Sequence, residues 1–127
     1  TTSYSPYSRF KVGASILSVK GNIYSGANIE NSSYGATLCA EATAIALMLS
    51  AGETLISEIA ITCSKSKLCY PCGICLQRIS EFSDNSTLIH VCIDKKAIET
   101  LKLIELYPFP FRKEALSDGE KLPSCFV

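Results

Sequence analysis

The stretch Leu38-Cys39-Ala40-Glu41-Ala42-Thr43-Ala44-Ile45-Ala46-Leu47-Met48-Leu49 decides the fold. Most of its residues are helix formers, and Gly52 follows where a helix C-terminus favours glycine. Apolar side chains occupy nearly every face of this helix, so it is expected to lie buried between layers or between subunits. On its N-terminal side, Phe10 to Leu17 alternates in part, Lys20-Gly21-Asn22 is a turn, and Ile23 to Ala27 completes a hairpin. On its C-terminal side, Ile59-Ala60-Ile61-Thr62-Cys63 is a short apolar run that predicts a buried strand. A second helix is expected from Cys72 to about Phe82, then a loop at Asp84-Asn85-Ser86 and a strand from Leu88 to Ile93. Tyr107-Pro108-Phe109-Pro110-Phe111 cannot be regular helix and predicts an extended or irregular arm. The order strand, strand, helix, strand, helix, strand predicts an α/β fold. The expected form is a three-layer α/β/α sandwich around a mixed sheet of about five strands.

The chain has 127 residues and a mass of 13.7 kDa, which predicts a single domain spanning 1–127. Apolar residues make up 47% and charged residues 19%, a globular composition. Twelve basic residues balance twelve acidic ones. That neutrality argues against nucleic acid as a partner and against electrostatic anchoring to a membrane. No apolar run approaches the ~20 residues that span a bilayer. Thr1-Thr2-Ser3-Tyr4-Ser5-Pro6 has neither the basic flank nor the apolar core of a signal peptide. Seven cysteines is an odd number. In an untargeted chain this favours reduced thiols or metal ligands over disulfides, and a cytoplasmic location is expected.

Three cysteines stand out by position. Cys39 opens the first helix, and Pro71-Cys72-Gly73-Ile74-Cys75 opens the second. A C-x-x-C turn lets two sulfurs reach one metal ion, and Pro71 suits a helix start. If both helix N-termini point at one place, free amides and two dipole ends converge there and favour thiolate. Three thiolates leave a fourth position open for water, the pattern of a catalytic zinc site. Glu41, two residues after Cys39, lies in the same first turn and can move a proton beside that metal. The run Cys69-x-x-Cys72-x-x-Cys75 also resembles iron–sulfur spacing, but the fourth position of that pattern is Ile79 and no proline follows. Cys63 and Cys92 are expected as core thiols, Cys125 as an exposed thiol, His90 as a structural residue and Lys95-Lys96 as a solvated turn.

Further segments join these: Tyr4-Ser5-Pro6-Tyr7-Ser8-Arg9-Phe10, Val12-Gly13-Ala14, Asn28-Ile29-Glu30-Asn31-Ser32-Ser33-Tyr34-Gly35 and Leu106-Tyr107-Pro108-Phe109-Pro110-Phe111. With the two cysteine motifs in this order, the chain from Tyr4 to about Leu116 resembles the small homotetrameric zinc-dependent cytidine deaminases. The resemblance implies deamination of cytidine and deoxycytidine to uridine and deoxyuridine, in pyrimidine salvage. It implies one zinc ion per subunit on Cys39, Cys72 and Cys75, with Glu41 as proton shuttle. Phe10 would pack on the pyrimidine ring and the main chain at Ala40 would contact the base. The Asn28-Ile29-Glu30 segment would hold the ribose hydroxyls. Asn28 and Glu30, two apart on a strand end, point the same way and offer donor and acceptor to a vicinal diol. Tyr34 and Phe111 would reach a neighbouring subunit's site in a homotetramer.

This chain departs from the resemblance at Ala42 and Leu76, where the family often has arginines that hydrogen-bond the zinc thiolates. A tri-thiolate zinc site carries a net charge of about −1, so missing cations predict a lower turnover or a shifted pH optimum. Arg78, three residues after Cys75, is the candidate substitute. Competing readings are deamination of a base in tRNA or DNA, a non-catalytic zinc module, and a deaminase for a modified nucleoside antibiotic. Neutral charge and the Asn28–Glu30 pair oppose the first, Glu41 opposes the second, and the intact Asn28-Ile29-Glu30 segment opposes the third.

Overall fold

Alternation along β1 (Val12–Ser18) sets the buried face of a sheet, with Ala14, Ile16 and Ser18 turned inward. The computed structural model describes residues 2–64 and 68–116. Its other elements are β2 (Ile23–Ala27), α1 (Ala40–Ser50), β3 (Ile56–Cys63), α2 (Gly73–Glu81), β4 (Leu88–Ile93), β5 (Lys96–Lys102) and α3 (Leu103–Leu106). The five strands form one sheet in the order β2-β1-β3-β4-β5. β3 and β4 run parallel, joined through α2, and the other three pairings are antiparallel. This is the mixed α/β sheet expected from the element order.

Register puts the apolar residues side by side. Ala14 faces Ile61 and Ile16 faces Ile59 across β1 and β3, while Ile59 and Ile61 face Ile89 and Val91 on β4. Ala44, Ile45 and Met48 of α1, Ile79 of α2 and Leu103 of α3 close over that face in one core. Truncation of a fully buried isoleucine here costs about 2–5 kcal/mol. The other face carries a polar row: Ser25, Ser15, Ala60, His90 and Thr100 stand on successive strands in register. His90 bonds Thr100 and Glu58 at 2.8 Å on each side, the structural role expected of it. All three helices therefore share one face. The described residues supply one of the two helical layers expected, and the polar row marks the other face of the sheet.

β5 was not placed by sequence pattern, which put a solvated turn at Lys95-Lys96. The turn is Asp94-Lys95, with φ of 48° and 67°, and Lys96 already pairs with Ile93. Two positive φ values are the primed hairpin turn that asparagine and glycine normally mark. Asp-Lys carries that signal weakly, and β5 is an exposed edge strand with a lysine at each end. The arm at 107–111 is irregular, as its prolines dictate. Along α1 the apolar envelope is only half covered: Met48 is fully buried, whereas Leu47 and Leu49 are exposed.

Glu53 ties the hairpin to the end of α1. Its amide donates to the Met48 carbonyl at 3.1 Å, and its carboxylate accepts from Asn22 Nδ2 at 3.0 Å and from the Tyr24 hydroxyl. The Tyr24 hydroxyl, then Ser18 and Asn22, hold the Glu53 carboxyl below its ordinary value of 4.5. A depressed folded-state pKa stabilises the fold above the unfolded value, and that contribution disappears as pH falls through the folded one. The expected result is that Glu53→Gln melts below the wild type near neutrality. The gap narrows on acidification below the ordinary glutamate range. Thermal melts from about pH 7 to about pH 3 check this, and a gap that stays constant with pH counts against it.

Candidate active site

Two helix starts converge. Cys39 is the N-cap of α1 and Cys72 the N-cap of α2, both with extended backbone at ψ of 158° and 169°. A sulfur of Cys39, a carboxylate oxygen of Glu41 and the sulfur of Cys75 all lie within 4.8 Å of one another. Glu41 is 4% exposed and Cys75 1%. Of the three sulfurs expected at one point, the structure gathers Cys39 and Cys75. Cys72 is exposed on the turn before Cys75, with its sulfur outside that group.

The approach of α1 depends on Gly26 of β2. A Cβ there would stand 2.6 Å from the Ala44 amide nitrogen, 2.9 Å from Thr43 Cβ and 3.0 Å from the Ala40 carbonyl oxygen. Only a bare Cα lets the first turns of the helix lie against the strand. Sequence pattern gave no sign of this, since it is a contact between elements.

The two gathered sulfurs share a hydrogen bond. The Cys75 thiol, with the Ala42 amide adding, draws the Cys39 pKa down to about 6 against burial and the Glu41 charge. The same bond, then burial and Glu41, push Cys75 upward. The pair thus favours the charged form at Cys39 and the neutral form at Cys75. Arg78 donates from Nη1 to Cys39 Sγ at 3.1 Å. Sulfur donors beside a carboxylate fit zinc. Cys69 stays outside the group of Cys39, Glu41 and Cys75; burial first, then the Cys63 thiol and the Glu41 charge, push it to about 11. Among the described residues Cys69, Cys72 and Cys75 do not come together as one ligand group. Cys92 is buried, as expected, and Cys63 is half-buried. Cys125 lies outside the described residues.

The residues expected around a nucleoside line the loop before β1 and the segment after β2. Asn28 is 9% exposed; its Oδ1 accepts from Ser3 Oγ and from the Val12 amide at 3.0 Å, and its Nδ2 donates to the Phe10 carbonyl at 2.9 Å. One amide hydrogen of Asn28 is left over by that count. Glu30 Oε1 accepts from the Tyr7 and Ser8 amides at 2.9 and 3.1 Å, and Oε2 from the Ser8 hydroxyl. Those bonds hold the Glu30 carboxyl below its ordinary value, the Ser8 hydroxyl first. Both residues thus anchor the loop that carries half-buried Phe10, a role the sequence did not reveal. Ile29 pairs with Leu38 through two backbone bonds of 2.9 Å, linking this segment to the Cys39 turn. Ala40 is fully buried as the first residue of α1. Tyr34 is 80% exposed and meets the Tyr7 ring edge-on at 6.4 Å. An open hollow of about 430 Å³ lies between Tyr7, Ser8, Glu30, Asn31, Tyr34 and Thr37. Phe111 is exposed, and its backbone is held by Gln77 on α2.

Residues 1–91 match the family described as the cytidine and deoxycytidylate deaminase zinc-binding region. A cytidine deaminase of Sporosarcina psychrophila is 41% identical over 90% of this chain and 84% of its own length. One of Halalkalibacterium halodurans is 38% identical over 91% of this chain and 87% of its own. The crystal structure of the Burkholderia pseudomallei cytidine deaminase superposes with a TM-score of 0.80 at 32% identity, covering 87% of this chain and 88% of that one. With a buried glutamate and two cysteines gathered at paired helix starts, the class is that of metal-dependent hydrolases. The chain belongs to the cytidine and deoxycytidylate deaminase family. Among the described residues no helix is long and apolar enough to cross a membrane.

Proposed function

We propose that this chain is a zinc-dependent deaminase of free cytidine and deoxycytidine, yielding uridine or deoxyuridine and ammonia. The observation that carries this is the buried Glu41 carboxylate within 4.8 Å of the Cys39 and Cys75 sulfurs. A zinc ion on Cys39, Cys72 and Cys75, one per subunit, would supply the Lewis acidity that makes water a nucleophile near neutral pH. Glu41 accepts the proton of that water and delivers it to N3 of the pyrimidine as the oxygen adds at C4. It then takes the proton of the new C4 hydroxyl and passes it to the exocyclic amino group; the C4–N bond breaks as the C4 carbonyl forms, and ammonia leaves. Phe10 stacks on the ring, and the Ala40 main chain meets the base. The spare Asn28 hydrogen and the free lone pair of Glu30 serve the ribose hydroxyls.

The assembly is read as a homotetramer in which Tyr34 and Phe111 complete a neighbour's site. Exposed Tyr34, Phe111, Leu47 and Leu49 support that reading. A cytoplasmic location is supported by the six described cysteines, all free thiols. The test is the fall in ultraviolet absorbance when zinc-loaded protein meets cytidine, with light scattering run on the same sample. Activity is expected to vanish with a chelator and return with zinc. A zinc-loaded protein that leaves cytidine unchanged overturns the proposal.

A further inference from the structure

Positions 42 and 76, flanking the ligands, hold alanine and leucine, and Leu76 packs against the hydrophobic core. Neither side chain carries a charge to meet the negative charge that gathers when sulfurs bind a metal, although the Ala42 amide contributes at Cys39. The described residue that does is Arg78, one turn beyond Cys75. Its side chain leaves the last turn of α2, crosses to α1, and donates from Nη1 to Cys39 Sγ at 3.1 Å. Against burial, Cys39 and then Cys75 raise the Arg78 guanidinium above its ordinary value. One planar group on α2 therefore reaches across to the sulfur that opens α1, a contact that suits the forked donors of arginine.

We propose that Arg78 is a positioning residue that compensates the thiolate charge of the metal site in place of cations at 42 and 76. This rests on the reading of the site as a zinc centre. Three thiolates around a divalent ion leave an excess negative charge, which raises the cost of holding them close and weakens the metal as a Lewis acid. A donor on the sulfur withdraws that charge without occupying a coordination position. Partners of this kind typically change metal affinity by about 10–100-fold.

The experiment measures zinc affinity by competition with a chromophoric chelator at fixed pH, for wild type, Arg78→Lys, Arg78→Met and Arg78→Ala. Wild-type protein that takes up no zinc overturns the metal reading itself, whatever the variants do. Given zinc binding by the wild type, Arg78→Met and Arg78→Ala are expected to bind about 10–100-fold more weakly, with Arg78→Lys between them and the wild type. The cobalt-loaded proteins give a second readout. Loss of a donor to sulfur raises its lone pairs, so the sulfur-to-cobalt charge-transfer bands of the methionine and alanine variants move to lower energy. Arg78→Met keeps the length and packing of the stem, so it separates charge from simple support. Affinities within twofold of wild type with unmoved bands overturn the proposal. So does a methionine variant that binds as the wild type does while only the alanine variant is weak.

Discussion

Glu41→Gln is expected to lower kcat for cytidine by about 10²–10⁴-fold, the range of a positioned general acid–base group. The amide keeps the shape of the carboxylate in a site where only 4% of the residue is exposed. It cannot accept a proton, so water is no longer deprotonated and neither N3 nor the leaving amino group is protonated. The sulfur ligands are untouched, so the zinc content of the variant is expected to match the wild type. Steady-state kinetics beside metal analysis check the pair of outcomes. A variant that keeps its zinc and retains kcat within tenfold would remove Glu41 from the chemistry. A variant that loses its zinc would recast Glu41 as part of the metal's support.

Gly26→Ala is expected to produce the largest loss of stability. The new methyl carbon would meet backbone at 2.6 Å from the Ala44 nitrogen and 3.0 Å from the Ala40 oxygen. Helix backbone cannot rotate aside as a side chain can, so α1 must lift from β2. Overpacking costs typically about 1–3 kcal/mol, and a clash with main chain belongs at the upper end. The drop in Tm is expected to be on the order of 10 °C. Lifting the first turn also displaces Cys39 and Glu41, so activity measured well below Tm falls too, by as much as about a hundredfold. Gly35→Ala is the control, because nothing lies within 4 Å of its added carbon. Equal melting of the two variants would show that the close approach does not govern the packing of α1.

Much of this was legible along the chain because it is written in local pattern. Helix formers from Ala40 onward, alternation in β1 and the apolar run in β3 placed their elements to within a few residues. β5 escaped because its signals lie in a turn whose positive φ falls on Asp94 and Lys95 and on an edge with little to bury. At the site, residue type revealed which groups could ligate or shuttle, since Cys39, Glu41 and Cys75 carry their chemistry wherever they stand. Partners across the fold were not legible. Asn28 names a donor and an acceptor, but nothing in its neighbours says that Ser3 and Val12 occupy its oxygen. Arg78 could be placed on the side of α2 shared with Cys75 by spacing alone, yet its bond to a sulfur of α1 required both helices on one sheet face.

That placement of the ligands on two helices separated by β3 has a thermodynamic consequence. In the unfolded chain Cys39 and the Cys72–Cys75 pair are the ends of a long loop, and closing it for a metal carries an entropic cost. The folded sheet has already met that cost by bringing both helix starts together. A metal ion held there would therefore discriminate between the two states of the chain and act as a mass-action brake on unfolding. Free zinc at a hundred times its dissociation constant adds about 2.7 kcal/mol to the unfolding free energy. With such a site, resistance to heat is expected to report metal supply, independent of whether any nucleoside is present; thermal melts with and without a chelator check this.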